Sequence, residues 1–207
     1  MKLMPDDSFE RAAMARGARL IAGVDEVGRG PLAGPVMAAA VILDLSRLPE
    51  GLNDSKKLTA KRREALADWA QEHCDWAVGS CSVEEIDQLN IYHAAHLAMC
   101  RAVQGLRQVP DHVLIDGNKI PRDLTLSAEA VVKGDARSLS IAAASILAKV
   151  LRDRIMVDLA QHYPGYGWEV NAGYPTPAHK KALLELGVTP YHRRSFKPVH
   201  NILCKAR

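Results

Sequence analysis

Two apolar segments near the amino terminus, joined by a short glycine- and proline-rich link, place the strongest constraint on how this chain can fold. The segments Arg19–Val27 and Val36–Leu43 both have the composition of buried β-strands. The link between them, Gly28–Pro35, is rich in turn residues, a pattern that favours an antiparallel pair. The first strand also carries Asp25 and Glu26 side by side, and strand interiors seldom contain two adjacent carboxylates.

The remainder of the chain alternates between helical and strand patterns. Helices are predicted over 59–74, 91–106, 136–162 and 176–187, with a short one after the Ser82 capping box, and strands over 76–83, 111–115 and 128–133. Residues 1–18 are predicted to form a helix or a loose lead-in, and the tail from Val188 is predicted to be irregular. This order predicts a mixed α/β protein.

Size and composition indicate a globular protein with a substantial core. The chain has 207 residues, 48% hydrophobic and 25% charged, which suits one large domain or one domain with a small extension. Its cysteines show no C-x-x-C spacing and no Cys/His cluster, so we expect reduced thiols. The acidic amino terminus and the shortness of the longest near-apolar run, Ser140–Val150, predict a soluble, cytoplasmic protein, because a bilayer span needs about 20 residues.

Carboxylates follow three of the predicted strands. Asp25 and Glu26 lie near the end of the first, and Asp116 and Asp135 each follow a later one. Side chains at strand ends in α/β sheets converge on the crevice where ligands bind, so four carboxylates are expected to meet in one pocket. For Asp116 or Asp135 taken alone, a turn or helix cap is the commoner explanation. Because adjacent strand residues point to opposite faces, Asp25 and Glu26 are expected to share a site only if the backbone bulges or turns there.

A pocket of four carboxylates favours bound divalent cations, since like charges repel one another without them. Mg²⁺ and Mn²⁺ prefer oxygen ligands, and no histidine or cysteine accompanies these acids as zinc would require. Two such ions about 3.5–4 Å apart can bind both the attacking water and the leaving oxygen of a phosphodiester. The pattern therefore predicts Mg²⁺ or Mn²⁺, with two ions during catalysis.

Two loops have residues suited to binding anions. Gly28-Arg29-Gly30 follows the acidic pair, and its glycines let the backbone approach a ligand closely. Arg29 is expected either to hold phosphate or to form a salt bridge inside the protein. Lys56 and Lys57 lie in a polar loop, for which a solvated turn is an equally good explanation.

The carboxyl-terminal part of the chain has the character of a nucleic-acid contact. Arg193, Arg194 and Ser195 lie within the segment HRRSF, which combines two guanidinium groups, a hydroxyl and an aromatic ring. The net charge is +3, and no acid follows His192, although a solvated basic tail is the commoner explanation of such a run. Tyr174 lies on a constrained turn just before a predicted helix, whose amino terminus favours anions.

These motifs, taken together, resemble those of the bacterial type 2 ribonucleases H, the ribonuclease HII family. They are DEVGRG (25–30), DSKKL (54–58), IDGN (115–118), KGD with IAAASILAKV (133–150), GYPT (173–176) and HRRSF (192–196). Each motif is weak alone, but the set is highly specific and covers about residues 20–199. The resemblance implies a ribonuclease H-like α/β fold, with a central mixed sheet flanked by helices and a helical carboxyl-terminal extension. It implies one domain over 1–207: a lead-in to about residue 18, a catalytic core over about 19–162 and a substrate-contacting portion over about 163–207.

The resemblance also implies an activity. Members of this family cleave the RNA strand of RNA–DNA hybrids and incise duplex DNA 5′ of a single embedded ribonucleotide, leaving 3′-hydroxyl and 5′-phosphate ends. The substrates are therefore expected to be such hybrids and ribonucleotide-containing DNA, in ribonucleotide repair and RNA primer removal. We expect a monomer, and the tail NILCKAR shows no convincing motif for a sliding clamp.

Carried over by motif, the family's four acidic residues are Asp25, Glu26, Asp116 and Asp135. Asp25 is expected to bridge two metal ions, with Glu26 and Asp116 on the leaving-group metal and Asp135 on the metal that activates water. The backbone of Gly28, Arg29 and Gly30 is expected to read the ribose 2′-hydroxyl. The remaining contacts are Tyr174 with the sugar 3′ of the ribonucleotide, and phosphate contacts from Lys56, Lys57, Arg193, Arg194 and Ser195.

Three alternatives remain open on the residues alone. One is a nuclease or nucleotidyl-transferring enzyme that acts on DNA, and it is separated by a panel of DNA, RNA, hybrid and single-ribonucleotide duplexes. Another is a catalytically silent nucleic-acid-binding module, whose acidic residues would be dispensable. The third is a small-molecule phosphatase, which the basic HRRSF segment disfavours.

Overall fold

A five-stranded mixed β-sheet forms the centre of the computed structural model, which describes residues 4–205. The strands are β1 (Ile21–Val27), β2 (Val36–Ile42), β3 (Asp75–Cys81), β4 (His112–Asp116) and β5 (Ala128–Val131). They lie in the order β3-β2-β1-β4-β5. The pairs β1–β2 and β2–β3 are antiparallel, whereas β1–β4 and β4–β5 are parallel. The predicted antiparallel pair and the mixed sheet are therefore confirmed.

Helices lie before, between and after these strands. Their bounds are α1 (Ser8–Ala15), α2 (Ala60–His73), α3 (Val83–Leu89), α4 (Ile91–Gln104), α5 (Leu139–His162), α6 (Trp168–Asn171), α7 (Pro177–Leu186) and α8 (Lys197–Lys205). Short 3-10 turns occupy Ser55–Lys57 and Gly134–Ala136. Within residues 4–205, no helix combines the length and hydrophobicity that a membrane span requires.

Both faces of the sheet are covered by helices, and small residues bring them close. Helix α4 packs on one face, and α5 with α2 packs on the other. Every residue of β2 is buried, as expected for a strand covered on both sides. At Gly23 of β1, a Cβ atom would overlap the backbone of Ser140 in α5, and at Gly79 of β3 it would overlap the backbone of Ala98 in α4. Larger residues at these glycines would push the helices off the sheet.

The lead-in segment forms a helix whose buried acid caps the long helix α5. Glu10 of α1 is only 1% exposed. Its Oε1 accepts hydrogen bonds from the hydroxyl of Ser138, at 2.7 Å, and from the backbone N–H of Ser140, at 2.9 Å. A carboxylate at this position stabilises the positive end of the helix dipole. Helix α5 begins at Leu139, later than predicted, because the preceding residues form the second 3-10 turn.

The prediction of an irregular tail after Val188 is wrong in its last part, where α8 forms. Val199 is fully buried, and Ile202 and Leu203 pack partly buried against the same apolar cluster. Their spacing puts all three side chains on one helical face, and Pro198 is tolerated because it lies in the first turn. The basic composition of the tail obscured this pattern. Helices α6, α7 and α8 pack together with the end of α5 beside the sheet.

Candidate active site

The carboxyl ends of the neighbouring parallel strands β1 and β4 carry the acidic residues. The register pairs Val24 with Ile115, so the next residues, Asp25 and Asp116, lie side by side. Carboxylate oxygens of Asp25, Glu26 and Asp116 all lie within 4.8 Å of one another. Asp25 is 7% exposed, and the other two are partly buried. The predicted convergence of strand-end acids is therefore found for these three residues.

Asp25 and Glu26 reach one site without a bulge, contrary to expectation. The β1–β2 ladder continues through both residues, which pair with Ala39 and Ala38. Instead of a backbone irregularity, the carboxylate of Asp25 turns toward the strand end, where its Oδ1 accepts a hydrogen bond from the N–H of Glu26 at 2.8 Å. The end of the strand thus lets two adjacent side chains meet although their Cβ atoms alternate between faces.

Asp135 approaches the cluster from the 3-10 turn after β5. The turn is held by Gly134, whose N–H donates to Oδ1 of Asp116 at 2.6 Å. Nζ of Lys56 donates to Oδ2 of Asp135 at 3.3 Å, although the lysine side chain is 78% exposed. The fourth carboxylate therefore borders the group of three, and Lys56 lies at the rim of the pocket.

Burial and mutual repulsion make this pocket unfavourable for negative charge. The pKa of Asp25 is raised well above its usual value by burial and then by the charges of Glu26, Asp116 and Asp135. Burial and Asp135 also raise the pKa of Asp116, against the opposing effect of the Gly134 N–H. Burial would lower the pKa of Lys56, but Asp135 and other nearby carboxylates outweigh it and raise that pKa. The cluster requires positive charge, and its exposed cations, Lys56 beside Asp135 and Arg29 beside Glu26, supply little of it.

The donor set fits a hard divalent cation. The group of Asp25, Glu26 and Asp116 offers only carboxylate oxygens, the ligands that Mg²⁺ and Mn²⁺ prefer. A bound cation would also remove the repulsion that raises the pKa of Asp25. Buried, converging carboxylates of this kind are costly without such an ion, so the residues fit the predicted metal site.

The loop Gly28–Pro35 follows the cluster directly. Arg29 forms a salt bridge with Glu26, Nη1 to Oε1, at 3.0 Å, which is one of the two alternatives for this residue. Gly28 has a φ of +92°, a conformation that side chains rarely adopt. A Cβ atom at Gly28 would also overlap the guanidinium of Arg152. This glycine is required both by the turn and by the close approach of a buried arginine.

Arg193 faces the interior and not the surface that a phosphate could reach, which corrects the prediction for this residue. Its side chain is fully buried. Its guanidinium donates to the carbonyls of Gly28, Arg29, Gly34 and Pro35, over 2.6–3.2 Å. Burial and a neighbouring buried arginine lower its pKa to about 9. Arg193 therefore holds the glycine loop from inside the protein.

Arg152 of α5 acts on the same loop and was missed in the sequence. Its guanidinium donates to the carbonyls of Pro35, Ala172 and Ala33, at 3.0, 3.0 and 3.1 Å. It thereby joins the glycine loop to the residues just before Tyr174. The sequence offered no clear signal for it, because Arg152 lies in a charged run beside Asp153 and Arg154.

The remaining predicted contacts surround this loop. The ring of Tyr174 is 39% exposed and lies against Gly30. Arg194 is exposed, but the hydroxyl of Ser195 donates to Asp87 at 2.5 Å, so that hydroxyl is already used within the protein. Asp87 also accepts from the backbone N–H groups of both residues, at 2.9 Å each, and was missed in the sequence. Lys57 lies 3.9 Å from Asp54 in a salt bridge.

The central strands of the mixed sheet end in carboxylates, and the loop that follows the first of them is held by buried arginines. This arrangement defines a metal-dependent nuclease of the ribonuclease H-like fold. The family model described as ribonuclease HII matches residues 22–199. Ribonuclease HII from Paracoccus denitrificans (strain Pd 1222) is 76% identical over 201 residues, which cover 97% of this chain and 96% of that protein. The chain belongs to the ribonuclease HII family, and it is a metal-dependent endonuclease that acts on the RNA of RNA–DNA hybrids.

Solved structures agree with this assignment. The ribonuclease H2 from Pyrococcus horikoshii OT3 superposes with a TM-score of 0.79 at 29% identity, covering 90% of this chain and 98% of that one. The RNase HII of Archaeoglobus fulgidus, solved in a PCNA:RNase HII complex, gives a TM-score of 0.69 at 30% identity, covering 86% and 96%. The fold and family that the motifs indicated are confirmed.

Proposed function

We propose that this protein also incises duplex DNA on the 5′ side of a single embedded ribonucleotide and leaves 3′-hydroxyl and 5′-phosphate ends. The proposal rests on one observation: the loop that follows the carboxylates is held from inside by two buried arginines and faces the ring of Tyr174. A site that reads one sugar needs such a rigid backbone next to the reacting phosphate.

The carboxylates and the loop have different tasks in this proposal. Asp25, Glu26, Asp116 and Asp135 would hold two divalent ions, Mg²⁺ or Mn²⁺, with Asp25 serving both, Glu26 and Asp116 serving the leaving-group ion and Asp135 serving the other. Ions held there would supply water activation and neutralisation of charge on the leaving oxygen. The backbone of Gly28–Gly30 contacts the 2′-hydroxyl of the ribonucleotide, the group that distinguishes RNA from DNA.

Tyr174 contacts the sugar on the 3′ side of the ribonucleotide. Its half-exposed ring lies against Gly30, within reach of a nucleotide held by that loop. Stacking on the sugar 3′ of the ribonucleotide disfavours a 2′-hydroxyl there, so the enzyme accepts a junction from RNA to DNA. This contact distinguishes a single ribonucleotide from a continuous RNA strand.

Exposed cations around the pocket complete the substrate site. Arg194 is exposed, Lys56 pairs with Asp135 at the edge of the cluster, and Lys57 pairs with Asp54. All three are proposed to contact phosphates. We propose that the protein acts as a monomer in the cytoplasm, in ribonucleotide removal and RNA primer removal.

A panel of labelled duplexes tests the proposal. Duplex DNA, duplex RNA, an RNA–DNA hybrid and duplex DNA with one ribonucleotide are incubated with the protein in Mg²⁺, in Mn²⁺ or with a chelator. The expected result is metal-dependent cleavage of the hybrid, and one cut 5′ of the single ribonucleotide with a 3′-hydroxyl end. Cleavage of the hybrid with an intact single-ribonucleotide duplex would contradict the proposal but leave the family activity in place.

A further inference from the structure

A fully buried histidine lies directly behind the segment that carries Tyr174. His179, in the first turns of α7, has no exposed surface. Its Nδ1 lies 2.9 Å from the backbone carbonyl oxygen of Tyr174. A carbonyl oxygen only accepts hydrogen bonds, so Nδ1 of His179 carries the proton and donates it.

The other side of the His179 ring is satisfied by two donors. Nε1–H of Trp168 donates to Nε2 of His179 at 3.0 Å. Nε2 of His192 lies 3.2 Å from the same atom. Nδ1 of His192 accepts from the N–H of Thr189 at 3.0 Å, so the proton of the neutral His192 ring is on Nε2, directed at His179.

These partners leave His179 one arrangement. Its Nε2 accepts from both neighbours, and its Nδ1–H is directed at Tyr174. The other tautomer, with the proton on Nε2, would place N–H against N–H from Trp168 and would remove the donor from the Tyr174 carbonyl. Burial lowers the pKa of both histidines and keeps the rings neutral, as the network requires.

The segment around Tyr174 is also held on its other side. The N–H of Leu32, in the glycine loop, donates to the carbonyl of Gly173 at 2.8 Å. Gly173 has a φ of +82°, and a Cβ atom there would lie 2.6 Å from the carbonyl oxygen of Ala33. The carbonyl of Tyr174 also accepts from the N–H of Thr176 at 2.8 Å, which closes a tight turn. The glycine loop thus fixes the backbone before Tyr174, and His179 contacts the carbonyl of Tyr174 itself.

We propose that His179 is a positioning residue for Tyr174: its Nδ1–H, oriented by Trp168 and His192, fixes the backbone that presents the tyrosine ring to the sugar. This inference rests on the proposed role of Tyr174. It makes discrimination between a single ribonucleotide and continuous RNA depend on a residue that does not touch the substrate.

Substitutions at His179 separate positioning from stability. Asn places an amide N–H near the position of Nδ1, whereas Gln reaches toward the position of Nε2 and leaves the carbonyl of Tyr174 without this donor. His179→Ala and His179→Gln are expected to lower single-ribonucleotide incision, relative to hybrid cleavage, about tenfold, the size of one lost hydrogen bond. His179→Asn is expected to keep that ratio near the wild-type value.

Leu183→Ala is the matched control, because Leu183 is buried in the same helix and belongs to the apolar cluster that contains Trp168, the partner of His179. It is expected to lower the melting temperature as His179→Ala does, with an unchanged ratio of the two activities. Equal ratios in His179→Ala and wild type, or equal losses in the Asn and Gln variants, would overturn the inference. Tyr174→Ala with an unchanged ratio would overturn the role of Tyr174 and the inference together. A reduced ratio in Tyr174→Ala with a normal ratio in His179→Ala would overturn the inference alone.

Discussion

The ring of Tyr174 lies against the backbone of Gly30, so that a Cβ atom added at Gly30 would be 3.4 Å from Cε1 of that ring. This contact joins two segments more than a hundred residues apart in the sequence, the glycine loop after β1 and the turn before α7. The loop and the ring together form one wall beside the carboxylate cluster. The proposed selectivity depends on the shape of that wall.

Gly30→Ala is expected to leave the fold intact and to impair cleavage. The backbone at Gly30 has a conformation that alanine can adopt, and the added methyl group meets the edge of the Tyr174 ring. The methyl group would hold a substrate sugar away from the loop, and a misplacement of about 1 Å can cost about a hundredfold in rate. Single-turnover cleavage of both the hybrid and the single-ribonucleotide duplex measures the effect. Wild-type rates with an unchanged melting temperature would show that no sugar approaches this glycine.

Arg193 and its neighbour Arg194 form a natural pair for comparison. Arg193→Ala removes the donor that holds four loop carbonyls, and it is expected to destabilise the fold by about 3 kcal/mol or more. Arg194→Ala, at an exposed position, is expected to leave stability nearly unchanged. Urea unfolding of the two variants measures the difference.

The salt dependence of hybrid binding gives the second half of this comparison. The logarithm of the binding constant falls linearly with the logarithm of the salt concentration. If Arg194 contacts one phosphate, its loss makes this negative slope shallower by about 0.7 to 0.9. The opposite result would be a stable Arg193→Ala variant with the shallower salt slope and an Arg194→Ala variant with the wild-type slope. It would make Arg193 the phosphate contact and Arg194 the structural residue.

Metal binding is expected to stabilise the folded protein. Mn²⁺ or Mg²⁺ at about a hundred times its dissociation constant should add about 2.7 kcal/mol, because the ion binds the gathered carboxylates of the folded state. Thermal unfolding with and without metal measures this gain, which Asp25→Asn should reduce. Asp68→Asn, at an exposed position on α2, should retain it. An equal gain in all three proteins would place the ion elsewhere.

The buried histidines predict how stability depends on pH. Burial and the nearby His179 lower the pKa of His192 to about 4, from an ordinary value of 6.5. Above pH 6.5 the contribution of His192 to stability is fully present. As the pH falls from about 6.5 to about 4, the unfolded chain takes up a proton that the folded chain does not, so the free energy of unfolding decreases by up to about 1.4 kcal/mol per pH unit for this group.

Urea unfolding between pH 7 and pH 4.5 tests this dependence. His192→Asn keeps an acceptor for Thr189 but has no titrating ring, so its stability should fall less steeply in this range. The rings that face His192 belong to His179, Trp168 and Tyr166, and burial lowers the pKa of His179 as well. A residual slope is therefore expected in the variant, and parallel slopes in the two proteins would contradict the assignment.

The acidic residues of the site could be predicted from the sequence because each one lies at or just after the end of a predicted strand. An apolar run followed by a carboxylate is visible without knowledge of the fold, and parallel strands bring such ends together. The pairing of β1 with β4 was not visible, because it depends on contacts between distant segments. The bulge or turn expected at Asp25 and Glu26 is not found, because the β1–β2 ladder continues through both residues.

The buried residues that hold the glycine loop and the Tyr174 segment from inside the protein could not be predicted from the sequence. Arg193 looks like a phosphate contact because a basic run beside an aromatic residue is typical of nucleic-acid surfaces. Whether such an arginine faces solvent or backbone carbonyls depends on the path of the loop Gly28–Pro35, more than 150 residues earlier. Arg152 and His179 were missed for the same reason, since their acceptors become neighbours only in the folded chain.

Single-turnover cleavage of duplex DNA containing one ribonucleotide tests whether the gathered carboxylates carry out the reaction. The wild-type protein and Asp25→Asn are compared, each with Mg²⁺ and with a chelator. Asp25 lies at the centre of the buried carboxylates, so its neutral isostere should bind the duplex, keep its fold and fail to cut. We expect one metal-dependent cut 5′ of the ribonucleotide by the wild type and no product from the variant. Cleavage by Asp25→Asn at the wild-type rate would contradict this expectation.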